Sequence, residues 1–166
     1  MASNIHMKIT GPAVAGESTD AGHSGELEIL SLSHGVSRPV GPRTTAGSAS
    51  TGHSNHSDVV VTKYVDKATP EIQKAICGGQ QFAEITIVVD KTNAQGTIIP
   101  YLKYTLSNVI VTSSSLGGSD QGGLAVETVS LNYDKIKWEY TATNPTDGAA
   151  AGTVPFTWDV SKNAVG

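Results

Sequence analysis

Two histidines and an acid come closest to a metal-binding pattern in this sequence. His53 and His56 stand in Gly-His-Ser-Asn-His-Ser-Asp, and Asp58 closes that run. Such a group could hold zinc, and a hydrolase with its site around these three residues is one alternative function. Zinc needs three or four fixed ligands, whereas this segment is rich in glycine and serine. The pattern therefore favours exposed polar loop residues, and we predict no metal and no cofactor.

A second polar group lies near the N-terminus. Asp20, His23, Ser24 and Glu26 include the residue types of acid–base or triad catalysis. All four fall in one loop, whereas triad members come from separate parts of a fold, and no nucleophile-elbow motif is present. The group therefore predicts a polar turn. Cys77 has no neighbouring base in the sequence and is expected to be a small buried core residue. We predict that the chain is not an enzyme.

The two tryptophans and a glycine-rich segment each allow a binding function. Trp138 and Trp158 alternate with polar residues and share their phase with other apolar side chains, so core packing is expected. Residues 117–123 lack the Lys-Ser/Thr ending of a phosphate loop and predict a flexible hairpin connection. A monomeric β-sandwich that binds a ligand or carbohydrate through the tryptophans stays open as an alternative.

The elements that position these residues are predicted to be strands. Apolar residues alternate with period two, which is the strand signal. In the long runs the alternation changes phase part way, as in strands that carry β-bulges and bend around a barrel or a cornered sandwich. We therefore predict a mainly β fold, a bulged antiparallel β-barrel of two sheets. The predicted strands are residues 5–9, 26–36, 58–65, 83–90, 98–112, 127–141 and 154–160.

One helix and one long loop interrupt the strands. Thr69 suits the N-cap, Pro70 suits the first helical position, and glycines at 78 and 79 end the pattern. The sequence therefore predicts a short flanking helix over about residues 69–78. Residues 37–57 contain almost no large apolar side chain, although strong strands lie on both sides, so they are expected to form a long protruding loop.

Composition narrows the class of partner. The chain has 166 residues, consistent with a single domain over residues 1–166, and its formal net charge is −4. This mild acidity argues against nucleic acid as a partner. No apolar run is long enough to span a membrane as a helix, and the first residues do not have the pattern of a secretory signal. Only 16% of residues are charged, against about 25% in an average domain. We infer that copies of the chain cover part of its surface.

Four motifs occur in an order typical of one known family. The strongest is Thr-Lys-Tyr-Val-Asp-Lys-Ala-Thr-Pro at residues 62–70, followed by Cys-Gly-Gly at 77–79. The others lie at residues 16–30, 101–114 and 127–140. In these motifs the chain resembles the haemolysin co-regulated proteins, the inner-tube subunits of bacterial type VI secretion systems. The resemblance covers about residues 5–160.

The resemblance implies a structural protein that catalyses no reaction. It implies a six-membered ring of β-barrel subunits, and rings that stack into a hollow tube inside a contractile sheath, capped by a spike protein. Small effector proteins would travel in the lumen, with the ring as their carrier and chaperone. The tube would be expelled from the bacterial cytoplasm to the extracellular space or a target cell without a signal peptide. A phage-type tail-tube subunit would share the ring.

The resemblance also places candidate contacts on this chain. The second strand would face the lumen, with Leu32, Ser33 and His34 as candidate cargo contacts where many relatives have aromatic residues flanking a serine. The long loop would contact the next ring or a neighbouring subunit. Its candidate contact residues are Arg38, Pro39, Val40, Pro42, Arg43, His53 and His56.

Overall fold

The computed structural model describes residues 4–42, 51–93, 96–118 and 123–166. Within them the fold is mainly β with one helix, α1 (Thr69–Gly78), as predicted. The strands are β1 (Ile5–Thr10), β2 (Leu27–Glu28), β3 (Ser31–Ser33), β4 (Val36–Ser37), β5 (Asn55–His56), β6 (Val59–Tyr64), β7 (Gln81–Thr92), β8 (Ile98–Gly117), β9 (Val126–Asn132), β10 (Lys135–Thr143), β11 (Ala150–Asp159) and β12 (Ala164–Val165).

Strand β8 organises the main sheet. Its first half lies between β7 and β10, and all pairings are antiparallel. Beyond Asn108, whose φ of 52° lies in the left-handed region that asparagine tolerates, β9 replaces β10 as its neighbour. A bulge follows between Val111 and Ser113. The predicted phase change in this strand thus marks the place where it exchanges partners.

The segment from β2 to β3 connects the two branches of the sheet. Strand β2 pairs with β1, and β3 pairs with β6. Between them the Ile29 N–H donates to the Ile5 carbonyl at 2.9 Å, and the Leu30 N–H donates to the Thr62 carbonyl at 2.7 Å. The strands therefore wrap around one core, and the predicted bulged antiparallel β architecture is confirmed.

Two predicted strands are each divided in the structure. Residues 26–36 form β2, β3 and the start of β4, because the chain changes partner at Ile29–Leu30. Residues 127–141 form β9 and β10, separated by Tyr133 and Asp134, so their phase change is a turn between two strands. In both cases the chain changes the strand with which it pairs. In the sequence this change produces the same shift of alternation as a β-bulge.

Helix α1 has the predicted bounds but a different N-cap. Ala68 occupies the cap position, and its N–H is satisfied by Asp66 Oδ1 at 2.9 Å. Gly79 ends the helix with φ 63°, in the conformation that glycine adopts most easily. Cys77 is exposed, which corrects the expectation of a buried core residue, because the buried helix face carries Ile72 and Ala75. No helix among the described residues has the length and apolar content to cross a membrane.

The described residues of the predicted loop, 37–42 and 51–57, pair with each other as strands. Strands β4 and β5 form a two-stranded ladder, and Val40 and Thr51 form a further bridge. Arg38 Nε donates to the Gly52 carbonyl at 2.8 Å. Backbone pairing of this kind needs no apolar side chains, so alternation could not reveal it. Arg43 lies outside the described residues.

Candidate cargo surface and oligomer interface

A face rich in hydroxyl groups covers the outer side of β3, β6, β9 and the end of β8. Strand pairing aligns Ser33 with Val60, Val60 with Ser130, and Ser130 with Ser113, so these four side chains share one face. None of the eight positions named next is charged, and Val60 is the only aliphatic residue among them; the same alternation continues to Tyr64 and Val126. We call it the hydroxyl face, formed by Ser31, Ser33, Val60, Thr62, Ser113, Ser115, Thr128 and Ser130.

The three candidate cargo residues divide between the two sides of β3. Ser33 is exposed on the hydroxyl face. Leu32 is half-buried and packs against the core, so it points to the other side. His34 is half-buried, and its Nε2 lies 2.6 Å from the Tyr133 hydroxyl. Of the three residues, only Ser33 has the exposure that a cargo contact on this face requires.

His34 and His56 meet over the tryptophans, although the sequence separates them by a long loop. The His56 ring stacks on Trp158 with centroids 6.3 Å apart, and the His34 ring lies 5.8 Å from Trp138. Burial lowers the pKa of both imidazoles below the usual 6.5, and the proximity of His56 lowers the pKa of His34 further. Burial also raises the pKa of the Tyr133 hydroxyl. The cluster is therefore suited to neutral, aromatic packing.

The three residues of the alternative zinc site, which the sequence pattern did not favour, do not come together. His53 is exposed and pairs with Asn163, whereas His56 belongs to the aromatic cluster. The Asp58 carboxylate accepts hydrogen bonds from Thr112 at 2.7 Å and from Asn132 at 2.8 Å. His53 is thus the exposed loop residue that the pattern favoured, whereas His56 lies half-buried in β5 against Trp158, which corrects the expectation for that residue.

Trp138 and Trp158 lie on one face of the β10–β11 pair. His34 and His56 cover only part of this face. Direct cross-strand pairs join Trp138 to Phe156 and Tyr140 to Val154, so these side chains lie on one face of β10 and β11. The rings of Trp138 and Phe156 stack at 5.3 Å. The exposed fraction of the side chains rises along the strands, from 0% at Ile136 to 48% at Tyr140 and 68% at Val154. We call Tyr140, Val154 and Phe156 the apolar strip.

The outer edge of β11 is also available for pairing. Strand β10 covers one edge of β11 along most of its length. On the other edge, β12 pairs only with Trp158 and Asp159. Within the described residues no other strand pairs with residues 150–156 on that side. An open edge beside an apolar surface is the arrangement that another chain can complete.

Comparison with known proteins identifies the family. The sequence model of the type VI secretion system effector Hcp matches residues 6–140. The chain belongs to the Hcp family. Protein hcp1 of Pseudomonas aeruginosa is 31% identical over 163 residues, which cover 98% of this chain and 98% of that protein. The major exported protein of the same organism is 28% identical over 158 residues, covering 84% of this chain and 90% of that protein.

A solved structure shares the fold of the whole Hcp-family chain. The structure of a type six secretion system protein superposes with a TM-score of 0.90 at 25% identity, covering 99% of this chain and 100% of that one. The family resemblance drawn from the four motifs is thus confirmed. Membership makes this chain a type VI secretion protein of a secreted, structural family whose members assemble into the secretion tube.

Proposed function

We propose that six copies of this Hcp chain form a ring, and that rings stack into the inner tube of a type VI secretion system. Contraction of the surrounding sheath would expel the tube with its spike protein, and the ring lumen would carry small effector proteins as cargo. The chain acts as a structural carrier and catalyses no reaction. Family membership supports the tube, and the apolar strip beside the open β11 edge is the observation that supports ring formation.

The apolar strip supports a subunit contact because it is the uncovered part of an apolar face. The rest of that face is already covered by side chains of the same chain. His34 and His56 cover Trp138 and Trp158, whereas the described residues leave Tyr140, Val154 and Phe156 exposed. Burial of apolar surface contributes about 25 cal/mol per Å², so covering this strip favours association. A second copy that pairs along residues 150–156 would also satisfy the open backbone edge.

The hydroxyl face supports the carrier function. Hydroxyl groups can donate and accept hydrogen bonds, so they can bind many polar surfaces without demanding one charge pattern. None of its eight positions carries a charged side chain. The face therefore does not attract charged cargo strongly, and cargo can be released from it. We propose that this face lines the lumen and that Ser33 contacts cargo.

The mass of the particle in solution tests the proposed ring. Multi-angle light scattering on the purified chain should give a particle of about six subunits, and electron microscopy should show rings with a central lumen. Val154→Lys should reduce the particle to smaller species while circular dichroism stays unchanged, because Val154 is 68% exposed. The matched control is Leu124→Lys, which places the same charge at a residue that is 73% exposed outside the strip.

Two results would contradict the proposal. A 17.2 kDa monomer at all concentrations would favour the ligand-binding module instead. A ring that survives Val154→Lys would show that the apolar strip is not the subunit contact. Loss of the ring in both lysine variants would show that the subunit contact also includes Leu124, which lies between β8 and β9.

A further inference from the structure

A cluster of two histidines and two carboxylates shares no residue with the apolar strip or the hydroxyl face. His6 on β1 and Asp90 on β7 come from neighbouring strands, and His23 comes from the loop before β2. His6 Nδ1 lies 3.5 Å from Asp90 Oδ2, and His23 Nε2 lies 2.8 Å from the same oxygen. One donor atom from each of the three residues lies within 4.8 Å of the others.

The loop that carries His23 is held in place by its own backbone. Gly16 and Gly25 are joined by a hydrogen bond of 2.8 Å, and the Ser18 N–H donates to the Glu26 carbonyl at 3.1 Å. A Cβ at Gly16 would lie 2.1 Å from that carbonyl oxygen, so only glycine permits this approach. The ring of His23 is thereby positioned parallel to His6, with centroids 4.2 Å apart.

Several buried polar atoms of this cluster have no hydrogen-bond partner in the part of the chain that the structure describes. His6 is 1% exposed, and neither of its ring nitrogens makes a hydrogen bond to a described residue. The same holds for both carboxylate oxygens of Asp90, which is 6% exposed. His23 Nε2 and Asp90 Oδ2 therefore lie 2.8 Å apart without the alignment of a hydrogen bond. Buried groups of this kind cost free energy unless a partner satisfies them.

The bond to Glu26 sets the state of the His23 ring. His23 Nδ1 lies 2.7 Å from Glu26 Oε2, so Nδ1 carries the proton and donates. In the neutral ring Nε2 then carries a lone pair and lies 2.8 Å from a carboxylate oxygen of Asp90, so the two electron-rich atoms repel each other. A cation between these atoms removes the repulsion. A carboxylate behind a histidine is also the usual outer partner of a metal-binding imidazole.

We propose that His6, His23 and Asp90 bind a divalent transition metal ion, with zinc as the best fit to two imidazoles and one carboxylate. Ligand atoms about 2.0–2.2 Å from zinc lie about 3.3–3.6 Å from one another in a tetrahedron. The His6–Asp90 separation of 3.5 Å fits this, whereas the His23–Asp90 separation of 2.8 Å has to lengthen on binding. Because a metal lies in the plane of each imidazole that binds it, the less buried His23 ring tilts on binding while His6 stays fixed. The metal would fasten the N-terminal loop to β1 and β7.

The fourth coordination position faces a cleft of about 720 Å³, which His23 and Asp90 line together with Lys8, Glu84 and Lys103. Water from the cleft would complete the coordination. The lining has two lysines, Lys8 and Lys103, against four carboxylates, those of Asp20, Glu26, Glu84 and Asp90, so its charge favours a cation. This site is independent of the proposed ring, since its three ligands come from one chain.

Titration of the full chain with zinc tests the site directly. After treatment with a chelator, calorimetry should show one zinc ion bound per chain, and elemental analysis should find the same ratio. Asp90→Asn and His23→Gln should abolish this binding. Glu26→Gln should weaken it by about 10–100-fold, the usual effect of losing an outer partner. His56→Gln, in the other histidine pair, is the matched control and should bind zinc like the unmodified chain.

The outcomes separate the metal site from its alternatives. Failure of the unmodified chain to bind zinc, cobalt or nickel would overturn the proposal and leave a protonated His23 between Asp90 and Glu26. Binding that persists in Asp90→Asn but is lost in His56→Gln would move the site to the aromatic cluster and also overturn it. His23 lies in a loop, so His23→Gln is expected to fold even if Asp90→Asn, in strand β7, does not. The loss of zinc binding can then still be tested with His23→Gln. None of these measurements depends on whether rings form.

Discussion

Lys63 Nζ lies 3.2 Å from Glu127 Oε2, and both side chains are completely buried. Thr69 Oγ1 also donates to this carboxylate oxygen, at 2.7 Å, and Ser114 Oγ donates to Oε1 at 2.6 Å. Lys63 is shared further with Asp66, at 2.8 Å. The network connects β6, the start of helix α1, β8 and β9 at one point inside the fold. The family motif at residues 62–70 thus supplies the lysine, aspartate and threonine of this network.

Removal of one member of this pair should be strongly destabilising. Glu127→Ala leaves a buried ammonium with one acidic partner, so we expect the free energy of unfolding to fall by about 3–5 kcal/mol. Urea denaturation at one fixed protein concentration measures the change. Lys74→Ala is the matched control, because its pair with Glu71 is exposed and should change stability by less than about 1 kcal/mol. A similar loss in both variants would contradict a special contribution from the buried pair.

The histidines over the tryptophans should make stability depend on pH. Burial lowers the pKa of His34 and His56 in the folded chain, so the unfolded chain binds these protons at higher pH. Stability from this source is therefore complete above the unfolded pKa of about 6.5, and it is lost as pH falls from there toward the folded pKa values. Tryptophan fluorescence during urea unfolding at several pH values measures the slope.

Replacement of one of these histidines isolates its contribution to the slope. His56→Gln should make stability depend less on pH below about 6.5, because one group that takes up a proton on unfolding is gone. His53→Gln serves as the control, since that histidine is exposed and outside the cluster. An unchanged slope in His56→Gln would show that other groups dominate the pH response.

Ser33→Gln should impair cargo loading without affecting the ring. Ser33 is exposed on the hydroxyl face, so a longer side chain there would narrow the proposed lumen. The backbone pairing of β3 with β6 needs no particular side chain at this position. Co-purification of a co-expressed small effector protein measures loading, and light scattering measures the ring. Ser24→Gln makes the same change at an exposed loop position away from this face. Equal loading of both variants would exclude Ser33 as a cargo contact.

The segment that begins with β4 and ends with β5 is expected to contribute to ring stacking. Replacing residues 41–51 by Asn-Gly keeps the Ser37–Asn55 pair and supplies a favoured two-residue turn. The subunit should fold and form rings, but sedimentation should show fewer stacked tubes. Arg38→Ala removes the hydrogen bond to Gly52 and leaves the length of the segment unchanged. It therefore shows whether stacking depends on that contact or on the length of the segment. Tubes that sediment like those of the unmodified chain would contradict a stacking role.

Local patterns in the sequence were sufficient for most of the elements. Period-two alternation predicted the strands, and Pro70 together with the glycine pair at 78 and 79 gave the bounds of α1. These features depend on neighbours within a few residues, so they can be interpreted without tertiary contacts. Motif order was also enough to identify the family. Cys77 was wrongly placed, because its exposure depends on which side of α1 meets the sheet.

Only the tertiary structure decided which residues meet across long distances. The change of partner at Ile29–Leu30 depends on the register of two separate strands. The approach of His6, His23 and Asp90 depends on how one loop crosses two strands. Alternation places His6 and Asp90 on the side of the sheet opposite the core, but it does not state that their strands are neighbours. Such contacts arise from strand order and register, which a local pattern does not encode.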